Sequence, residues 1–143
     1  MSKKGFLAAT FLQVLVLLIT AWGGLRLAAA VKGAAWLKTL PLEVPWWYFP
    51  LGGAAWMLAG MVVWLMFLTD HPWAPAAFLT LVVTFTAFWW LDRYILSSAA
   101  YFKQNWPLTL GIMGAAVVVT GVLTLPPVWN SLFGADDERT PQP

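Results

Sequence analysis

Asp92 and Arg93 stand side by side at the end of a long apolar run, and Asp70 and His71 form the other conspicuous ionisable pair. A carboxylate beside a guanidinium can hold a lipid headgroup or a partner's side chain, but at a helix end the pair reads first as an anchor in the membrane interface. His71 is the only histidine and the chain has no cysteine, so a bis-histidine haem, a zinc site or a di-iron centre cannot be built from this chain alone. Its place between Asp70 and Pro72 suits a short solvent-facing turn, and no cofactor or metal is expected. The sequence contains no carboxylate pair, no nucleophile with an adjacent base and no glycine-rich phosphate loop. No catalytic residue can be named, and the chain is not expected to be an enzyme.

The elements that carry these residues are apolar throughout. Of 143 residues, 61% are hydrophobic and 10% are charged, so a soluble fold would be coated in apolar surface. The net charge of +2 rests on a few scattered side chains and offers no basic face, which excludes nucleic acid as a partner.

A helix needs about 20 apolar residues to cross roughly 30 Å of hydrocarbon at about 1.5 Å per residue. Four stretches qualify, at about 5–25, 51–69, 73–92 and 106–125. Arg26 closes the first. Pro45 and Pro50 suit the entrance to the second, and Asp70 and His71 end it. Asp70 is also placed to cap the third, which leaves the membrane at Asp92 and Arg93. Asn105, Trp106 and Pro107 resemble a cap and first turn for the fourth, which Pro126 and Pro127 terminate. The expected fold is an all-α membrane protein, a bundle of four transmembrane helices over residues 1–129, arranged as two helical hairpins, with a polar acidic tail at 130–143.

The eleven tryptophans test this layout, because indole rings collect where helices leave the hydrocarbon. Trp22, Trp36, Trp46, Trp47, Trp89, Trp90 and Trp106 fall at one set of ends, and Trp73 and Trp129 at the other. Trp56 and Trp64 lie inside the second span and call for packing or lipid contact instead. Lys3 and Lys4 before the first apolar run, with Ala28 to Ala30 as a small-residue stretch, imitate a signal peptide. The run is longer than the about 7–15 residues of such segments, so it reads as a retained span. Counting Lys and Arg places the two longer loops in the cytoplasm, whereas Lys3 and Lys4 favour a cytoplasmic N-terminus. Between the first two spans, Arg26, Lys32 and Lys38 are spaced among leucines, alanines and Trp36 as in an amphipathic segment lying on the membrane surface, over Gly24 to Leu40.

Helices in lipid associate through close backbone approach and interhelical hydrogen bonds. Gly111, Gly114, Ala115 and Gly121 form a smooth stripe on the fourth span, and Ala76, Thr80, Thr84 and Ala87 a weakly polar one on the third. Ala55, Ala59 and Gly60 offer another on the second, and Gln13 on the first is expected to bond across to a neighbour. A faint internal echo links Ala34 to Lys38 with Ala99 to Lys103, each following an arginine, and Gly53-Ala54-Ala55 with Gly114-Ala115-Ala116.

Pro41-Leu42-Glu43-Val44-Pro45, Trp90-Leu91-Asp92-Arg93 and Asn105-Trp106-Pro107 resemble patterns in an uncharacterised group of small four-helix bacterial integral membrane proteins. The resemblance implies the four-span fold and a bacterial cytoplasmic membrane, and no site residues. This chain departs from the group in carrying Asp70-His71 in the second connection and Asp136-Asp137-Glu138 in the tail, where basic residues are usual.

These features suit a non-catalytic accessory or scaffold subunit of a larger membrane complex. Its partners would be lipid and other transmembrane subunits or further copies of itself, met through the small-residue stripes and through Asp92, Arg93, Trp46, Trp47 and Trp106. The alternative is a small oligomeric transporter or channel for an uncharged or lipid-like solute. No span in this reading contains an ionisable residue, so coupling to protons or ions is not expected.

Overall fold

The computed structural model describes residues 3–39, 44–96 and 99–133, the side chains of 3, 4, 96 and 99–106 excepted. The described residues form helices α1 (Lys3–Lys32), α2 (Ala34–Leu37), α3 (Tyr48–Leu68), α4 (Ala74–Leu96), α5 (Ala99–Thr124) and α6 (Pro126–Phe133), with no strand among them. Four of these, α1, α3, α4 and α5, are long and apolar enough to cross a membrane. The protein is an all-α membrane protein whose chain crosses the bundle up, down, up and down.

In hydrocarbon every backbone polar group needs an internal partner, which favours unbroken helices over the apolar runs. The threonines obey the same constraint. Thr10, Thr20, Thr69, Thr84, Thr86 and Thr124 each donate a hydroxyl hydrogen bond to the carbonyl four residues earlier, at 2.6–3.0 Å. Thr120 is fully buried, and among the described residues its hydroxyl has no partner. Thr120→Val keeps the shape and removes an unsatisfied group, so it should raise stability by about 1 kcal/mol in detergent-induced unfolding.

The first helix runs farther than its charges suggest. It spans 30 residues, about 45 Å at about 1.5 Å per residue, and Arg26 lies inside it. Residues 24–32 therefore continue α1 and do not lie as a separate amphipathic segment; only α2 remains between the first two spans. Ala28 to Ala30 are within α1, with Ala30 buried. At the other end, the helix of the fourth span begins at Ala99, which puts Pro107 in its interior and sets aside the reading of Asn105 as a cap. Asn130 to Phe133, expected to open the tail, belong to α6, while 134–143 lie outside the described residues.

The α3 to α4 turn also differs in detail. His71 N–H donates to Met66 O (2.9 Å) and Asp70 N–H to Phe67 O (3.3 Å), with Asp70 left-handed at φ 48°. This is a Schellman ending in which Asp70 holds the position that favours glycine. The side chain that serves the start of α4 is His71, whose Nδ1 accepts from Trp73 N–H at 3.2 Å, and not Asp70. Asp70→Gly should relieve the left-handed strain and stabilise the fold by about 1 kcal/mol, visible as a higher melting temperature.

The core lies where α1, α3 and α4 meet: Leu12, Val16, Ile19, Val63, Phe78, Leu81 and Val82 are all buried there. Trp56 stacks edge-on against Phe85 at 5.2 Å and Trp64 packs against the core, so both mid-span tryptophans are packing residues. The closest helix pair is α1 with α3, running antiparallel. A Cβ built on Gly23 would sit 2.5 Å from Met57 N and 2.8 Å from Gly53 O, and one on Gly53 2.6 Å from Leu27 N. A Cβ on Gly60 would collide with Thr20 Oγ1. Gln13, half-buried on α1, makes no hydrogen bond to a neighbouring helix among the described residues.

Candidate functional site

One charged cluster sits inside the bundle, and three helices build it. Arg26, six residues before the end of α1, forks onto Asp92 of α4: Nη1 donates to Oδ2 at 2.6 Å and Nη2 to Oδ1 at 2.8 Å. Tyr48, the first residue of α3, donates its hydroxyl to Asp92 Oδ1 at 2.9 Å. The two charged side chains are only 12% and 14% exposed, so both lie within the protein although sequence places them at helix exits.

The surroundings are aromatic. The guanidinium carbon lies 5.3–5.5 Å from the ring centroids of Trp22, Tyr48, Phe49 and Phe88, an arrangement in which the negative ring faces replace part of the lost hydration. Gly52 makes the space: a Cβ there would lie 3.3 Å from Phe88 Cζ and 3.8 Å from Arg26 Nε. Among the described residues the buried Arg26 Nε has no hydrogen-bond partner, so the fork is committed to one carboxylate at the expense of its third donor face.

Chemically the cluster is a closed ion pair. Both oxygens of the carboxylate are taken up by two guanidinium donors and a phenol, and the charges of the pair cancel. Its geometry suits a clasp that sets the rotation of α1 against α4 and pins the start of α3. Among the described residues, no group of three or more His, Asp or Glu is placed to hold a metal ion. No protein-family model, curated protein or solved structure matches the chain.

The sequence-predicted residues are scattered over this frame. Asp92 lies at the centre of the clasp and faces inward, which replaces the reading of a plain interfacial anchor. Arg93 lies over the indole of Trp89 at 5.1 Å. Trp46 and Trp47 are exposed, Trp46 with the Lys38 ammonium 4.5 Å from its ring. The Trp106 side chain is outside the described residues.

The packing stripes come out differently. Gly111 and Gly114 have nothing within 4 Å of a built Cβ, and Ala115 is exposed, so among the described residues this face of α5 meets no other helix. Gly121 alone of the stripe approaches a neighbour, at an ordinary 4.0 Å from Leu79. Thr80 and Thr84 are exposed on the wall of an open groove of about 690 Å3 between α3 and α4, and the Thr84 hydroxyl is spent on its own helix. The glycines that do bring helices together are Gly23, Gly53 and Gly60. Their signal was present as two glycines seven apart on one span, facing a Gly-Gly pair on another. The inequality of Gly53, buried, and Gly114, open, shows that the echoed segments occupy unlike environments.

Proposed function

We propose that this chain is a non-catalytic accessory or scaffold subunit of a larger membrane protein complex, resident in a bacterial cytoplasmic membrane. The observation that carries the reading is the exposure of the fourth span. Only 6% of its apolar window is buried within the chain, against 28% for the first span. Its outward face presents Gly111, Gly114 and Ala115, the residue types that let another helix approach closely. In the Arg26–Asp92 cluster the charges cancel and both carboxylate oxygens accept hydrogen bonds, which agrees with a structural part better than with a turnover site. The cytoplasmic membrane of a bacterium rests on the resemblance of the sequence motifs.

Gentle detergent extraction, native electrophoresis and identification of co-purifying chains test the proposal. A stable assembly with other membrane subunits is expected; migration solely as a monomer or small homo-oligomer sinks it. Gly114→Leu sharpens the test. With no neighbour to meet among the described residues it should change stability by less than about 0.5 kcal/mol, yet shift the native mass downward.

A second reading is favoured by a groove of about 440 Å3 between α1, α4 and α5, lined almost wholly by apolar side chains such as Leu18, Ile19, Phe85 and Met113. It suits a small oligomeric carrier for an uncharged or lipid-like solute. Flux in proteoliposomes no faster than in empty vesicles, over a broad solute panel, removes that reading.

A further inference from the structure

Depth along the helices places the connection between the first two spans. From Ala74 to Asp92 α4 rises about 27 Å, and α3 rises about 30 Å between Leu68 and Tyr48, each close to the thickness of the hydrocarbon. The clasp of Arg26, Asp92 and Tyr48 therefore lies at the level where the spans leave the apolar layer. The first helix does not stop there. Lys32 ends α1 about 9 Å beyond Arg26, and the same hydrogen-bond pattern continues into α2, from Gly33 N–H to Ala29 O and from Leu37 N–H to Gly33 O, both at 2.9 Å. Lys32 and the residues that follow it up to α3 thus stand among the lipid headgroups.

What they offer that layer is positive charge and indole. Lys32 and Lys38 are exposed, as are Trp36, Trp46 and Trp47. The Lys38 ammonium lies 4.5 Å from the centroid of the Trp46 ring. An indole settles at the boundary between hydrocarbon and headgroups, so the cation over it is held at the depth of the phosphates. In the sequence, the two connections at this end, residues 27–47 and 93–105, carry Lys32, Lys38, Arg93 and Lys103 against the single carboxylate of Glu43. The charges of Arg26 and Asp92 cancel in the clasp and leave that excess unchanged.

We propose that the connection between the first two spans recognises anionic phospholipid. Lys32 and Lys38 hold the phosphate of a headgroup that has no ammonium of its own, at the level set by Trp46. A zwitterionic headgroup brings a cation with each phosphate, and gains far less from the excess charge. Near an anionic bilayer surface one basic side chain is worth about a fivefold gain in association. The inference stands apart from the subunit role, since it uses neither the open face of α5 nor a partner chain.

Native mass spectrometry of the full chain, released from micelles to which phosphatidylglycerol or phosphatidylcholine has been added, tests it. The first bound phosphatidylglycerol should be held at least about fivefold more tightly than the first phosphatidylcholine. Lys32→Gln combined with Lys38→Gln should remove most of that preference, while Lys32→Arg combined with Lys38→Arg keeps it. Both positions are exposed, so the variants should melt with the parent, which separates lost recognition from lost fold. Lys3→Gln combined with Lys4→Gln, a lysine pair elsewhere in the chain, should leave the preference in place. Equal affinity for the two lipids, or a preference unchanged in the Lys32→Gln, Lys38→Gln variant, overturns the proposal.

Discussion

Asp92→Ala should cost the fold about 3–5 kcal/mol, because it strands the Arg26 guanidinium inside the protein. In the native bundle that charge is 12% exposed and its two terminal nitrogens are both spent on Asp92. Once the carboxylate is removed, four aromatic faces remain, and they cannot substitute for a full counter-charge. Unfolding in mixed micelles with increasing dodecyl sulfate, followed by helicity, reads the loss directly. A variant within about 1 kcal/mol of the parent would show that the clasp contributes little.

The same experiment separates attraction from desolvation. Replacing both partners, Arg26→Met with Asp92→Leu, removes the stranded charge and should recover most of the stability lost by Asp92→Ala. Tyr48→Phe, which deletes one hydrogen bond to a carboxylate that keeps its guanidinium, should cost only about 1–2 kcal/mol. The order of the three, with the single charge deletion worst, is the signature of a buried ion pair.

Gly53→Ala should destabilise by about 2–3 kcal/mol, and Gly53→Leu should prevent native packing of α1 on α3. The new Cβ would lie 2.6 Å from Leu27 N, 2.8 Å from Gly23 O and 2.9 Å from Leu27 Cα. All three are backbone atoms of the facing helix, so no side chain can swing aside and the two helices must separate. Separation loosens the whole seam, including the contacts at Gly23 and Gly60. Gly24 supplies the control one residue away, where a Cβ meets only Met57 Sδ at 3.6 Å. Gly24→Ala should therefore be close to neutral in the same assay. Equal destabilisation at positions 24 and 53 would mean that close approach of the α3 backbone does not set the cost.

Much of the architecture follows from lengths of uncharged chain. An apolar run long enough to cross hydrocarbon has little alternative to a helix, and four such runs were legible from Gly5 to Thr124. The aromatic ends were legible for a similar reason, since indole placement depends on depth along a helix and depth is read from position in the run. Faces were not. A helix in lipid is apolar all round, so the pattern that tells inside from outside in a soluble protein is missing, and small residues can serve lipid, a partner or a neighbouring helix equally well. The stripe at Gly111, Gly114 and Ala115 was read as a packing surface and is open among the described residues, whereas Gly53 meets the backbone of the facing helix beside a sequence neighbour, Gly52, that serves the clasp.

The charged site shows the same division. By itself the sequence determined that Asp92 and Arg93 sit near the end of an apolar run, and that four such runs are long enough to cross a membrane. Only the tertiary structure decided that Arg26 belongs to the interior of α1 and meets Asp92, 66 residues later, with Tyr48 completing the cluster. A lone arginine after an apolar run looks like an exit because an unpaired charge cannot stay in hydrocarbon. A partner delivered by a third helix removes that penalty, and the run continues through it.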